Sequence, residues 1–451
     1  MSSGGGKSSP NILLVIFEGF FNWLEGYGIN TAYILLTLGI AAIAYALFSL
    51  DLSSNRILLF AIGTSPLWLP YVLFYLWFEM WMHYIQSAYD YNQGRVSLVI
   101  KLPQDIFKSP AAMEIVLTQL YQTASPDNLV QTYWDGKHPP TFGLEIISTE
   151  GNVQFIINTP RKKFKSFIEA SLYGQYPGIE IHELPVDYTA AVPLSGEGHV
   201  LFGLHFGLKK PDVYPIKTYV DFGLDKDPKE EYKNDPISTV IELLGSIGPG
   251  EHLWFQFLIS AHRKVSFANG SLRSHPDWTD DIQAEIEKIM GRQEAKDAED
   301  SFVALKLTDG ERDIVKSLER SKTKFAFDTY VRVMYAAKEG HFNGDRVGHS
   351  ITSFFAGHDL ARNSMSFRWR TDFDYNWWQD PKGTIRQALK LSELEDYKLR
   401  AYTPRIPKDT GSILTTEEVA TLFHLPGKAV ATPGLARVPS KKAEAPGNLP
   451  L

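Results

Sequence analysis

The chain has 451 residues, in which 45 Lys and Arg oppose 52 Asp and Glu, giving a formal net charge of -7. This balance argues against a broadly basic surface of the kind that coats nucleic acid. Charged residues make up 22% of the chain, as in an ordinary globular protein rather than a disordered tail. There is no cysteine, which agrees with a reducing compartment.

Residues 1–30 form the first predicted region. The first ten residues are small and polar, and the segment Asn11–Leu24 is apolar but too short to cross a bilayer. Glu18 lies within this segment and Glu25 follows it directly. We predict a polar N-terminus followed by an interfacial or re-entrant helix.

Residues 31–84 predict a transmembrane hairpin. The run Thr31–Leu50 contains no charged residue, and a helix of this length covers roughly 30 Å, the thickness of a bilayer core. A second apolar run begins at Ile57, so the spans are placed at 31–50 and 57–82. Trp and Tyr residues crowd the second run, as in an aromatic belt at the headgroup level. The alternative is a buried core hairpin of a large soluble domain, which two adjacent uncharged runs disfavour.

The charges beside the hairpin predict its orientation. Lys7, Arg95 and Lys101 lie on the side of the two ends, whereas Arg56, balanced by Asp51, lies in the intervening loop. By the positive-inside rule, both termini and the domains after the hairpin are expected to be cytoplasmic. The predicted location is the cell membrane, in a multi-pass topology.

Residues 92–190 show a legible α+β pattern. Alternating apolar segments predict strands, and apolar residues at helical spacing predict two amphipathic helices. Their order, β-α-β-β-α-β, is that of the ferredoxin-like unit. The predicted elements are Val96–Leu102, Ser109–Tyr121, Phe142–Ser148, Val153–Asn158, Arg161–Gly174 and Ile179–Leu184.

Residues 196–403 predict a second α+β domain, possibly ferredoxin-like, which a charged helical insertion interrupts at about 270–322. The fold class is therefore α+β throughout the part after the hairpin. The predicted elements are strands at His199–Leu208, Ile216–Phe222, His252–Ser260, Phe325–Ala336 and Met365–Arg370, and helices at Pro236–Ser246, from Trp278, at Asp309–Lys322 and at Gly344–Phe355.

Residues 404–451 predict one short helix and a proline-rich C-terminal arm. The helix opens on a capping box, Thr415-x-x-Glu418. Val419, Leu422 and Phe423 give it one apolar face, and we predict that Ser412–Leu425 and the arm beyond it dock on a neighbouring subunit or motor. The alternative is that this helix packs onto its own domain.

Motifs for catalysis or cofactor binding are absent from the sequence. There is no H-E-x-x-H, G-x-S-x-G or cysteine nucleophile, and Gly6-Lys7-Ser8 lacks the first glycine and the preceding strand of a P-loop. His349 and His358 could share a site, but isolated histidines are the simpler interpretation. We therefore predict no catalytic residues, no metal and no cofactor.

A basic cluster opens the helix that begins at Arg161. Together with Lys162, Lys163 and Lys165 it could contact phosphates of DNA or of anionic lipid. The simpler interpretation is a solvated helix start. The pair Trp377-Trp378 in an acidic setting suggests either an interface or core filling.

Two segments resemble a known family. The stretch from Tyr133 to Glu183, with its "Leu-Glu-Ile" strand end and the "Tyr-x-Gln-Tyr-Pro" motif at Tyr173–Pro177, resembles the region before the motor in membrane-anchored type IV secretion and conjugation ATPases. The segment Ser412–Gly427, "SILTTEEVATLFHLPG", resembles a second segment of that family, just ahead of its nucleotide-binding core. This sequence lacks the P-loop motor. The resemblance implies an anchor and platform that works with a separate motor ATPase or with other secretion-system subunits.

The sequence thus predicts a non-catalytic, membrane-anchored platform subunit that assembles with itself. One alternative is a membrane-associated enzyme that uses carboxylates such as Glu145 and Asp187. Another is a nucleic-acid-binding adaptor, and the sequence leaves direct nucleic-acid binding open.

Overall fold

The computed structural model describes residues 54–103, 108–121, 126–225, 235–263, 277–290, 308–358, 363–371, 378–401, 411–427, 434–435 and 437–438. The chain divides into two compact units, Met1–Met82 and His83–Leu451. The second unit, called the body below, contains every strand described here.

The helices of the described residues are α1 (Ser54–Gln93), α2 (Ala111–Tyr121), α3 (Leu129–Tyr133), α4 (Arg161–Gln175), α5 (Ile237–Gly245), α6 (Trp278–Ile289), α7 (Asp309–Lys322), α8 (Gly344–Ala356), α9 (Thr384–Leu399) and α10 (Thr416–Leu422). The strands are β1 (Arg95–Pro103), β2 (Thr141–Thr149), β3 (Asn152–Pro160), β4 (Glu180–Glu183), β5 (His199–Leu208), β6 (Glu251–Ala261), β7 (Ala326–Lys338), β8 (Met365–Arg370), β9 (Ser412–Thr415) and β10 (Arg437–Val438).

The second predicted span, 57–82, falls within α1, a 40-residue helix that contains Pro66 and Pro70. Over the ranges given above, none of the helices combines the length and the hydropathy that a membrane crossing needs. The first predicted span, 31–50, and the N-terminal region 1–30 lie outside the described residues.

The first half of the body confirms the six predicted elements and their β-α-β-β-α-β order. Its strands pair in the order β4-β1-β3-β2, and every pairing is antiparallel. The β2–β3 hairpin turns on Glu150 and Gly151, both at positive φ (53° and 87°), as a two-residue type I′ turn requires.

The second half repeats this arrangement. Strands β8, β5, β7 and β6 are adjacent in that order, again with antiparallel pairing throughout. The two halves therefore have the same strand order. The inserted helices α6 and α7 lie between β6 and β7 in sequence and share a small core around Trp278, Ile282 and Leu318.

One predicted strand of this half is wrong. Residues 216–218 have no regular secondary structure and residues 219–222 form a turn, so this segment is not a strand. Side chains from the α10 region accept hydrogen bonds from this backbone: Glu418 Oε1 accepts from Ile216 N at 2.9 Å, and Thr421 Oγ1 accepts from Tyr219 N at 2.9 Å. These partners replace the ladder that a strand would need.

The two halves join through β2 and β6, which pair antiparallel over nine residues from Thr141↔Ser260 to Thr149↔His252. The result is one continuous sheet. The boundary predicted near residue 190 therefore separates two halves of one sheet rather than two separate cores.

Successive side chains of the sheet point to opposite faces. Leu253, Phe255 and Phe257 of β6 belong to the main hydrophobic core, which includes residues of α2, α4, α5, α8 and α10. Trp254 points to the other face and packs with Leu394 and Tyr397, which belong to α9. Helix α9 was not predicted, although Leu391, Leu394 and Tyr397 follow a helical spacing.

Candidate functional site

Four polar side chains cross the α9 face of the sheet in register. Glu145 of β2 lies opposite Gln256 of β6, which lies opposite Arg332 of β7, which lies opposite His205 of β5. Each is at most 2% exposed. We call these four residues the polar row. It crosses the β2–β6 junction between the two halves.

The row is continuous at the junction. Gln256 Nε2 donates to Glu145 Oε1 at 2.8 Å, and Arg332 Nε donates to Gln256 Oε1 at 2.6 Å. The Gln256 amide therefore uses its NH₂ group toward the carboxylate and its oxygen toward the guanidinium. Burial of these groups without partners would be costly, so the bonds fix the relative position of β2, β6 and β7.

Helix α9 covers the other end of the row. Glu393 Oε1 lies 2.6 Å from His205 Nε2, and Arg332 Nη2 donates to the carbonyl of Asp396 at 2.8 Å. Tyr330 Oη lies 2.8 Å from His205 Nδ1. Burial would raise the pKa of Glu393, but the charge and hydrogen bond of His205 outweigh it and lower the pKa. Helix α9 thus docks through charged and polar contacts as well as through Leu394 and Tyr397.

Arg400, directly after α9, joins the two carboxylates that the enzyme alternative singled out. Its Nε and Nη2 lie 3.0 and 3.2 Å from Glu145 Oε1 and Oε2, and its Nη1 lies 2.8 Å from Asp187 Oδ2. Burial would lower the pKa of Arg400, but the charges of Glu145 and Asp187 outweigh burial and raise it. The guanidinium is therefore held charged between them.

The Glu145 carboxylate has little capacity left for chemistry. In addition to the two Arg400 contacts and Gln256, it accepts a hydrogen bond from Tyr188 Oη at 2.8 Å. Four donors match the roughly four lone-pair positions of a carboxylate. The residue is also 0% exposed. This arrangement stabilises the junction and offers no open position on Glu145 for a substrate.

A surface cavity of about 650 Å³ lies elsewhere, beside α6 and the segment after β5. Its charged lining is mixed in sign: Lys209, Lys210 and Arg368 are basic, whereas Asp212, Asp281 and Glu285 are acidic. Glu285 is engaged by Tyr214 Oη at 2.6 Å. This lining does not select a ligand of one charge.

The basic cluster at the start of α4 is partly paired within the body. Arg161 Nη2 lies 3.0 Å from Glu183 Oε1, and Lys165 Nζ lies 2.7 Å from Glu183 Oε2. The side chains of Lys162 and Lys163 lie outside the described residues. Two of the four predicted phosphate or lipid contacts therefore already have an acidic partner.

The predicted docking surface on α10 is wrong. Val419, Leu422 and Phe423 are at most 1% exposed and belong to the main core. The alternative, that the helix packs on its own domain, is confirmed. The capping box is also confirmed: Thr415 Oγ1 accepts from Glu418 N at 3.3 Å while the Glu418 carboxylate accepts from Thr415 N at 2.8 Å.

Part of the C-terminal arm also lies on the body. Leu102 of β1 pairs with Arg437 of β10, and Val153 N donates to the Gly434 carbonyl at 2.8 Å. Leu435 is 8% exposed. The described part of the arm is therefore bound by its own chain. Residues 439–451 lie outside the described residues.

His349 and His358 do not share a site. His358 is buried with Nδ1 3.1 Å from the Phe354 carbonyl, whereas His349 is exposed on α8. Within the described ranges, no group of three or more His, Cys, Asp or Glu side chains could hold a metal ion. Trp378 is 60% exposed, and Trp377 lies outside the described residues.

Helix α1 carries an extended set of exposed apolar side chains. Seven consecutive residues, Tyr71 to Trp77, are between 41% and 74% exposed. Phe74, Trp77 and Trp81 form a ladder of rings, with centroids 5.9 Å apart in the first pair and 5.8 Å in the second. We call residues 71–77 the exposed segment of α1.

The polar row was missed at the sequence level, although a signal for it exists. Gln256 interrupts the apolar strand "HLWFQFLIS", and Arg332 interrupts "FDTYVRVMYAA". A single polar residue inside a buried strand demands a buried partner. Its partner cannot be named from the sequence because it comes from another strand, 111 residues away for the Gln256–Glu145 pair and 76 for the Arg332–Gln256 pair.

Comparison with known proteins gives a family and no activity. No curated protein matches the chain. A family profile described as a domain of unknown function, DUF8128, matches residues 117–437 and thereby covers the polar row. Since this match spans well over half of the sequence, the chain belongs to the DUF8128 family.

Proposed function

We propose that the chain is a non-catalytic, membrane-anchored platform subunit of a type IV secretion-like transfer apparatus. It sits in the cell membrane with its termini and body in the cytoplasm, assembles with itself, and seats a separate motor ATPase. The proposal rests on one structural observation, the exposed segment of α1, together with the resemblance of two segments to the pre-motor region of conjugation ATPases.

The exposed segment argues for a nonpolar environment. Seven consecutive residues make about two helical turns, so they face every side of the helix. An amphipathic helix would expose only a polar face, whereas a helix that is apolar all round is normally buried in protein or lipid. A bilayer or neighbouring copies of α1 would supply that cover.

The body supports a structural role. We interpret its two halves as ferredoxin-like modules, with α6 and α7 inserted into the second. Their junction is held by Glu145, Gln256 and Arg332, which bond to one another. The saturated contacts of Glu145 favour this role over the enzyme alternative, which would need accessible polar groups in a pocket.

The experiment is purification of the tagged full-length protein from native membranes in mild detergent, followed by identification of the proteins that accompany it. We expect a motor ATPase and further copies of this chain. Recovery of the protein alone and monomeric would contradict the platform proposal.

Membrane anchoring is tested separately by extraction of membranes at alkaline pH. The parent protein should stay in the pellet, and the double variant Leu73→Lys with Leu76→Lys should move to the supernatant. Leu194→Lys is the matched control, because Leu194 is an exposed leucine of the body at 58%. Release of the parent protein into the supernatant would refute anchoring.

A further inference from the structure

The surface cavity beside α6 has two walls of opposite charge. Its volume of about 650 Å³ lies within the roughly 300–1,000 Å³ of sites that bind small ligands. One wall is α6, where Asp281 and Glu285 are four residues apart and therefore share one side of the helix. The other wall carries Lys209 and Lys210, directly after β5, and Arg368 of the neighbouring strand β8. We call these two sets the acidic wall and the basic wall.

The basic wall is fixed by contacts within the body. Arg368 Nη2 donates to the carbonyl of Leu208, which uses one of the five N–H donors of a guanidinium. The backbone N–H of Lys210 donates to Asn363 Oδ1 at 2.9 Å. The side chains of Lys209, Lys210 and Arg368 are all exposed. The backbone that carries these cations is therefore held in place, while the side chains are open to a ligand.

The acidic wall is tied to the same segment of the body. Tyr214, five residues after Lys209, donates from Oη to Glu285 Oε1 at 2.6 Å. This hydrogen bond lowers the pKa of Glu285, so its carboxylate is ionised at neutral pH. Lys288 lies 3.1 Å from the same oxygen, but its side chain is 68% exposed, and a pair of this kind on a helix surface is weak. Asp281, one turn earlier on α6, is exposed. The two walls therefore belong to one cleft, with a negative side and a positive side.

Apolar side chains complete the lining. Val213 and Ile413 line the cavity and pack against the small core of α6 and α7 that contains Trp278. Asp212 is the polar exception in this part of the lining: its Oδ2 accepts a hydrogen bond from Ile413 N at 3.1 Å, and burial raises its pKa. A ligand in the cavity would therefore meet apolar surface as well as the two charged walls.

The opposed walls disfavour a ligand of one charge. An anion such as a phosphate is attracted by the basic wall but repelled by Asp281 and Glu285, and a simple cation meets the reverse obstacle. A metal ion is also disfavoured, because no group of three or more His, Cys, Asp or Glu side chains could hold one within the described ranges. A ligand that carries both charges, joined by an apolar stem, is complementary to both walls and to the apolar lining.

A short peptide is the class of ligand that combines these properties. An arginine or lysine side chain and a carboxylate supply the two charges, and the residues that separate them supply apolar surface. Each wall has more than one charged group, and the cavity is of a size that accepts drug-sized ligands, so more than a single amino acid can be accommodated.

We propose that this cavity binds a short peptide that carries a basic side chain and a carboxylate. The acidic wall takes the basic side chain, and the basic wall takes the carboxylate. The inference goes beyond the platform role and does not depend on it, because every residue of the cavity belongs to the body.

The test uses the full-length protein in detergent and three immobilised pools of six-residue peptides, blocked at both ends. One pool has a fixed arginine and a fixed glutamate with apolar residues elsewhere, the second has only the arginine, and the third has only the glutamate. The variants are Asp281→Lys on the acidic wall and Lys209→Glu on the basic wall, both at exposed positions. Asp280→Lys is the matched control, since Asp280 is exposed in the same first turn of α6 but does not line the cavity. Thermal melting of each variant checks that it folds.

We expect the pool with both charges to bind at least about fivefold more tightly than either single-charge pool. Asp281→Lys should weaken binding of the pools that contain arginine, Lys209→Glu should weaken binding of those that contain glutamate, and Asp280→Lys should change neither. Equal binding of the three pools, or a preference that survives both charge reversals, would overturn the proposal. Tightest binding of a single-charge pool would also overturn it, because only one wall would then be acting.

Discussion

Replacement of Arg400 by Met should destabilise the body strongly. Arg400 is 6% exposed and holds Glu145 and Asp187 through contacts of 2.8 to 3.2 Å. Its loss leaves the buried Glu145 carboxylate without its ion-pair partner, while the charge of Arg95 still acts on it from farther away. Breaking a buried ion pair in this way costs about 3–5 kcal/mol of unfolding free energy.

The assay is urea unfolding of the full-length protein in detergent, followed by tryptophan fluorescence, since Trp254 lies in the same cluster as Tyr397. With a slope of about 3 kcal/mol per M, the midpoint should fall by roughly 1–1.7 M. The double variant Arg400→Met with Glu145→Gln removes the unpaired charge and should recover part of this loss.

The matched control is Glu183→Gln, which breaks the exposed pairs with Arg161 and Lys165 and should leave the midpoint close to that of the parent. Equal midpoints for the parent, Arg400→Met and the double variant would refute the reasoning. Such a result would mean that Glu145 is stable at the β2–β6 junction without Arg400.

Three further outcomes are expected. Burial lowers the pKa of His358 to about 4, so between pH 6.5 and 4 the unfolded chain binds a proton that the folded chain does not. Acidification through this window should therefore lower the free energy of unfolding by on the order of 3 kcal/mol. In a series of urea midpoints measured at different pH values, His358→Gln should flatten this part of the curve. Gly136→Ala, at φ +67°, should lower the free energy of unfolding by roughly 4 kcal/mol or more, because its Cβ would meet the backbone of Ile85. Gly94→Ala is the control: this glycine has a similar φ of +63° but lies in open space, so the loss should be about 1 kcal/mol. Similar melting temperatures for the two variants would contradict the close contact. Thr415→Ala removes the buried capping box and should cost about 1–2 kcal/mol in the same measurement, while an unchanged midpoint would show that α10 is held by its core contacts alone.

Local patterns were sufficient to predict most elements of the body. A nearly continuous apolar run identifies β6, and a charged helical segment identifies α7, whose bounds Asp309–Lys322 agree with the prediction. These signals arise within one segment, where the period of apolar residues reports directly on the backbone. The positive φ of Gly151 likewise follows from a two-residue hairpin.

The features that could not be predicted from the sequence depend on contacts between distant segments. The pairing of β2 with β6 and the location of Arg400 beside Glu145 join residues more than a hundred positions apart. The apolar side of α10 was predicted to face a partner, because its sequence cannot say which surface covers it. Residues 216–222 are apolar enough for a strand, but their backbone is bonded to Glu418 and Thr421.

During synthesis of the chain, strand β2 is complete well before its partner β6, so the β2–β6 junction cannot form at once. Strand β2 is complete at Thr149, and its partner begins at Glu251, roughly 100 residues later, which at about 5–20 residues per second is a delay of roughly 5–20 s. During that delay Phe142, Leu144 and Ile146 stand in a strand whose outer edge has no partner from the second half. An apolar edge of this kind pairs readily with another chain. A fragment that ends near residue 190 would keep that edge permanently bare, and we expect it to associate with itself rather than persist as an independent domain.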